Sequence, residues 1–174
     1  MSSKKWTKRI NYEMVVAGSA VFISVCALVV SIYEAKIMRE QQYASAWPYL
    51  NHGPKYIYQK GLLYDVENVG LGPALIQDVS IKIGEKEVED PQALLEELLD
   101  ISIDTLPIGY FTLEGTVLAP GDKVSLLQVI DLDLAQRFRE MEERYQIEIC
   151  YCSIYEDCWS IRSKRQPEKV ESCK

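Results

Sequence analysis

Four cysteines, Cys150, Cys152, Cys158 and Cys173, and a single histidine, His52, are the side chains with the most chemistry to offer. Thiols at these spacings can form disulfides, ligate a metal or attack a substrate. A structural zinc site expects ligands two to four residues apart and a second such pair, and Cys150-x-Cys152-x5-Cys158 offers neither. Four cysteines permit three disulfide connectivities. If residues 153–157 form a five-residue hairpin loop, Cys152 stands opposite Cys158 and Cys150 opposite Ser160. Opposed β-carbons lie about 4.5–5.5 Å apart, close to what a disulfide needs. The Cys152–Cys158 bond is therefore the first choice in an oxidising compartment, whereas a reducing one leaves all four thiols free.

The remaining constellations are structural in type. One histidine excludes any site built from two imidazoles, and a nucleophile with a histidine base would depend on His52 alone, read as a loop residue. Gly70-Leu71-Gly72 lacks the third glycine of a dinucleotide fingerprint, and a sheet-forming segment follows it. No phosphate loop, GxSxG or HExxH occurs. Glu96/Glu97 and Glu142/Glu143 are neighbours in sequence, and adjacent carboxylates on a helix do not face each other. Asp131-Leu132-Asp133 lacks the oxygen-rich loop of a calcium site and fits a helix cap. The expectation is a non-enzymatic protein with no catalytic, cofactor or metal residues.

The elements that carry these residues divide sharply. The chain has 174 residues, one domain's worth with a small appendage, and 48% apolar with 26% charged residues describes a folded chain. Its net charge of −7 argues against a nucleic-acid surface. Residues 1–33 carry +3, through Lys4, Lys5, Lys8 and Arg9 against Glu13, and the rest −10. Residues 14–33 hold 20 positions without a charge. A helix of that length rises about 30 Å, the thickness of a hydrocarbon core. It is too long for a cleaved signal peptide, and the small residues Ala44-Ser45-Ala46 lie beyond a charged stretch, so it reads as an uncleaved anchor. Four basic residues precede it and two, Lys36 and Arg39, follow, which places the N-terminus in the cytoplasm and the larger part outside.

Ala17, Ala20, Ser24, Ala27 and Ser31 recur at spacings of three and four. Such a stripe lets helices approach closely in lipid and makes homo-oligomerisation a candidate property. Helix formers continue to Ala46, where Trp47-Pro48 ends them. Tyr33, Tyr43, Trp47 and Tyr49 suit either a short stalk or an aromatic collar at headgroup level. The expected layout is a cytoplasmic basic tip (1–13), a transmembrane helix (14–33), a helical stalk (34–46), a β-sandwich domain (47–163) and a polar, frayed tail (164–174).

Beyond Pro48 the apolar period becomes two. Leu62/Tyr64/Val66, Leu75/Val79/Ile81/Ile83, Phe111/Leu113/Val117, Val124/Leu126/Ile130 and Ile147/Ile149/Tyr151 predict half-buried strands, with residues 48–58 as a first strand. Asn68-Val69-Gly70-Leu71-Gly72-Pro73, Gly84-Glu85 and Pro120-Gly121-Asp122 supply turns. Residues 90–99 and 131–145 have helical spacing and are expected to cover sheet edges. Trp159 suits a strand facing the core.

The Asn68-x-Gly70 element before a strand, and Leu118-Ala119-Pro120-Gly121-Asp122 before another, resemble the turns of bacterial immunoglobulin-like sandwiches. The layout of helix, Trp-Pro-Tyr stretch and such a domain is similar to uncharacterised bacterial single-pass membrane proteins. The resemblance covers residues 47–163 and implies a mainly β fold, an N-terminal transmembrane helix plus an antiparallel immunoglobulin-like β-sandwich with two short helical insertions. It implies adhesion, scaffolding or partner binding at the inner membrane, with the bilayer and an unidentified protein as partners. The alternative from another class is an oligomeric membrane-disrupting effector whose cytoplasmic domain senses a signal.

Overall fold

The structure is a computed structural model and describes residues 12–102, 108–163 and 165–173. It divides into two units between Gln42 and Tyr43. One helix, α1 (Tyr12–Ser45), takes in both the uncharged stretch and the expected stalk. Its 34 residues include no proline, none of its side chains is buried, and it is long and apolar enough to cross a membrane. The helix stops before Trp47-Pro48 because proline forces the preceding residue toward extended geometry. The basic residues of the tip lie outside the described residues.

The second unit is mainly β, built of antiparallel strands. In chain order they are β1 (Leu50–Ile57), β2 (Gly61–Asn68), β3 (Ala74–Ile83), β4 (Lys86–Val88), β5 (Ile108–Tyr110), β6 (Val117–Leu118), β7 (Lys123–Val129), β8 (Tyr145–Cys152), β9 (Cys158–Arg162) and β10 (Glu168–Val170). Helices α2 (Pro91–Leu99) and α3 (Leu132–Glu140) interrupt the series. One sheet has the order β1-β2-β7-β5; the other runs β10-β9-β8-β3-β4, with β6 also on β3. Leu62, Tyr64 and Val66 of β2 share one buried cluster with Ile76 and Ile81 of β3 and Ile147, Ile149 and Tyr151 of β8. Each aliphatic side chain fully buried this way contributes about 1.5–3 kcal/mol.

Several expectations change. His52 is a strand residue of β1, not a loop residue, and is buried. Proline is compatible with this strand because β1 lies at a sheet edge, where one side of the backbone has no ladder partner. Of the alternating run at 111–117 only Val117 lies in a strand, the two-residue β6. Gly115, at φ +74°, turns the backbone there, and Thr116 donates back to the Leu113 carbonyl. The helix expected over 131–145 ends at Glu140, because Tyr145 pairs with Ile83 and opens β8. Nor do the helices merely cover edges: Leu94, Leu95, Leu98 and Leu99 of α2, and Leu134, Ala135 and Phe138 of α3, belong to the core. The described part of the tail is not frayed either. Glu168–Val170 pairs with β9, and Cys173 is bonded to Cys150.

Candidate functional site

The β8–β9 hairpin pairs Cys152 with Cys158 and Cys150 with Ser160. Cys152 and Cys158 are joined as a disulfide, with Cα atoms 4.0 Å apart. The second bond, Cys150–Cys173, has its Cα atoms 5.7 Å apart. Cys150 and Cys152 alternate by two along β8, so their sulfurs emerge on one face, and the Sγ atoms of Cys152 and Cys173 come within 3.8 Å. In this oxidised state the sulfurs are committed to each other rather than to a metal. The disulfide closing the longer loop removes more freedom from the unfolded chain. Replacing Cys150 and Cys173 with serine is expected to cost about 3 kcal/mol, and replacing Cys152 and Cys158 about 2 kcal/mol. Urea unfolding of the two double variants checks that order. Cys26 of α1 is free and exposed.

A buried polar line joins residues that lie far apart in sequence. His52 Nδ1 lies 3.0 Å from Tyr64 Oη, which is 2.5 Å from Ser163 Oγ. Burial drives the imidazole from its ordinary 6.5 down to about 4, opposed by the Ile161 backbone carbonyl. Burial also pushes the Tyr64 phenol above its usual range, opposed by the Ser163 hydroxyl. At neutral pH both rings are uncharged. The line links β1, β2 and the end of β9.

The Asn68 turn is the most fully used polar element. Asn68 is wholly buried. Its Nδ2 donates to the carbonyls of Gly72 (2.8 Å) and Leu118 (2.9 Å). Its Oδ1 accepts from the backbone N–H groups of Gly70 (3.0 Å) and Tyr49 (3.3 Å). Its own carbonyl accepts from Gly121. One side chain thus ties the start of β1, the β2–β3 turn and β6. The Trp47 carbonyl accepts from Leu71 and Gly72, so the segment ahead of β1 lies against this turn. A Cβ at Gly72 would sit 2.1 Å from the Ala46 carbonyl oxygen, a backbone atom with little room to yield. Gly72→Ala is expected to lose about 2 kcal/mol by urea unfolding.

The other candidates fall into place singly. Ala17, Ala20, Ser24, Ala27 and Ser31 lie on one side of α1, within an arc of about 80° at 3.6 residues per turn. Ser24 Oγ donates to the Ala20 carbonyl at 2.8 Å, so this hydroxyl is satisfied within its own helix. Asp131 caps α3, accepting from Asp133 and Leu134, and Asp90 caps α2. Glu97 pairs with Lys86 at 2.7 Å. Trp159 packs against the core and stacks on Tyr151. The sequence reading takes Asn68 only as a turn residue, Tyr64 only as an apolar strand residue and Cys173 only as one of four cysteines with its partner open, and gives no role to Ser163. The Asn-x-Gly spacing was the available signal for the first; nothing local marks the others.

The fold and its polar elements define a mainly antiparallel β protein with two disulfides, preceded by a long apolar helix. The model of a domain of unknown function, DUF8453, matches residues 14–171, and the chain belongs to that family. The matched region takes in the whole uncharged segment. No curated protein and no solved structure matches the chain.

Proposed function

We propose that this protein is a non-enzymatic binding or assembly module, anchored in the bacterial inner membrane by α1 with its N-terminus in the cytoplasm. Its β domain stands outside the cytoplasm and engages a protein partner. The observation that carries this reading is the pair of disulfides in the unit that follows an apolar helix. Such bonds form and persist in oxidising compartments and are rare in the cytosol. The four basic residues ahead of the helix give the same orientation. An immunoglobulin-like sandwich is the finer reading of the fold. The orders β1-β2-β7-β5 and β9-β8-β3-β4 correspond to A-B-E-D and G-F-C-C′ of that architecture. His52 Nδ1, Tyr64 Oη and the Asn68 amide are engaged in holding strands and turns together, which favours a binding role over catalysis.

A C-terminal topology reporter and thiol labelling test this together. The expected result is reporter activity outside the cytoplasm and, in unfolded but unreduced protein, labelling of Cys26 alone. Reporter activity inside the cytoplasm, with all five cysteines labelled before reduction, overturns the reading in favour of the cytoplasmic sensor. Recovery of a chain lacking residues 14–33 overturns the anchor.

A further inference from the structure

The sulfurs of the β8–β9 hairpin and of the tail lie in one cluster. Cys150 and Cys152 stand two residues apart on β8, Cys158 opposes Cys152 across the hairpin, and Cys173 follows the end of β10. The bonds Cys150–Cys173 and Cys152–Cys158 are neighbours. Cys152 Sγ and Cys173 Sγ belong to different bonds and lie 3.8 Å apart. Cys158 Sγ is within 4.8 Å of both. Cys150, Cys152 and Cys158 are buried, whereas Cys173 is partly exposed. The most accessible sulfur of one bond is thus in close contact with a buried sulfur of the other.

We propose that the four cysteines form one thiol–disulfide exchange site, which a dithiol enters at Cys173 and in which a Cys152–Cys173 bond replaces both others. The proposal rests on the extracytoplasmic reading above, because an oxidising compartment keeps both bonds closed until a dithiol arrives. Exchange proceeds by attack of a thiolate on a disulfide sulfur. One thiolate of the dithiol attacks Cys173 Sγ, and Cys150 leaves as a thiolate. The second thiol of the dithiol then displaces Cys173. The dithiol ends as a disulfide, and Cys150 and Cys173 hold its two electrons and two protons. Attack on the next bond depends on access. Once freed from Cys150, Cys173 lies past β10 and can turn to approach Cys152 from the side opposite Cys158. Its thiolate attacks Cys152 Sγ, the Cys152–Cys173 bond forms and the Cys152–Cys158 bond breaks. Cys158 leaves as a thiolate and takes up the proton that Cys173 lost. This step consumes no electrons, since one disulfide breaks for each one made. The tail stays bound to β8, and the hairpin loses the bond that closes its loop at 153–157.

The test uses the full chain in detergent with Cys26→Ser, which leaves the four clustered sulfurs as its only cysteines. Alkylation and peptide mapping locate each bond. As purified, this parent chain is expected to label at no cysteine; labelling of all four removes the extracytoplasmic reading and the proposal together. One molar equivalent of dithiothreitol at pH 8, followed by acid quenching, is then expected to yield the Cys152–Cys173 bond with label on Cys150 and Cys158, in about a tenth or more of the one-bond molecules. Two further variants need no reductant. In Cys158→Ser, Cys152 is left as a thiol and displaces Cys150 from Cys173, so label divides between Cys152 and Cys150. In Cys150→Ser, label divides between Cys173 and Cys158. If the partly reduced parent chain holds only its two original bonds, and label stays on Cys152 in the first variant and on Cys173 in the second, the extracytoplasmic reading stands and the proposal is overturned. Label that moves to Cys152 in Cys150→Ser overturns it as well, because Cys158 is then the sulfur attacked.

Discussion

Replacing Asn68 with alanine is expected to cost about 4 kcal/mol and to loosen three segments at once. The size follows from what the side chain leaves behind. Its amide donates to two buried carbonyls, those of Gly72 and Leu118. A buried polar group stripped of its partner costs about 1–3 kcal/mol, and two are stripped together. The backbone N–H groups of Gly70 and Tyr49 lose their acceptor as well. Asn68→Asp is expected to fare no better despite its equal size. It would aim a carboxylate at two carbonyl oxygens and bury a charge without a counterion. Urea unfolding measures the loss in each variant. Hydrogen exchange at Gly70, Leu71 and Gly72 should rise ahead of exchange in β8. An Asn68→Ala chain with unchanged midpoint and unchanged exchange would show that the turn stands without this side chain.

The second large effect is an acid-dependent loss of stability through His52. Its folded-state value of about 4 lies below the ordinary 6.5 because burial disfavours the charged ring. Above pH 6.5 both folded and unfolded chains carry the neutral imidazole, so its contribution to stability is fully present. Between 6.5 and 4 the unfolded chain binds a proton that the folded chain does not, and stability falls with the pH. Across that window the loss amounts to about 3 kcal/mol. Below 4 the buried ring itself takes up a proton, which desolvates a charge beside Tyr64. His52→Gln retains a polar group for Tyr64 Oη but does not titrate. Denaturation midpoints for both chains at pH 7.5 and pH 4.5 isolate the imidazole from the carboxylates, which contribute equally to both. Parallel slopes for the two chains would remove His52 as the source.

The amino-acid sequence by itself determined the elements whose physics is local. Twenty uncharged positions followed by helix formers and a Trp-Pro stop specify one long apolar helix, and α1 ends at Ser45 as that stop requires. Period-two alternation marked β2, β3, β7 and β8, and Asp90-Pro91 announced the start of α2. The Cys152–Cys158 bond was legible because a five-residue loop sets its own register. Only the tertiary structure decided the rest. The Phe111–Val117 alternation gave way to a turn at Gly115, and the tail acquired a strand because β9 had a free edge and Cys173 could reach Cys150. His52, Tyr64 and Ser163 meet only when β1, β2 and the end of β9 are brought together, across separations of 12 and 99 residues. Asn68 carries the same lesson. Its sequence neighbourhood specifies a turn, while its cost of removal depends on carbonyls as far away as Leu118. Hydrophobic period and turn chemistry act between near neighbours and can be read along the chain. Burial and the hydrogen bonds it makes obligatory depend on which distant segments come to lie side by side.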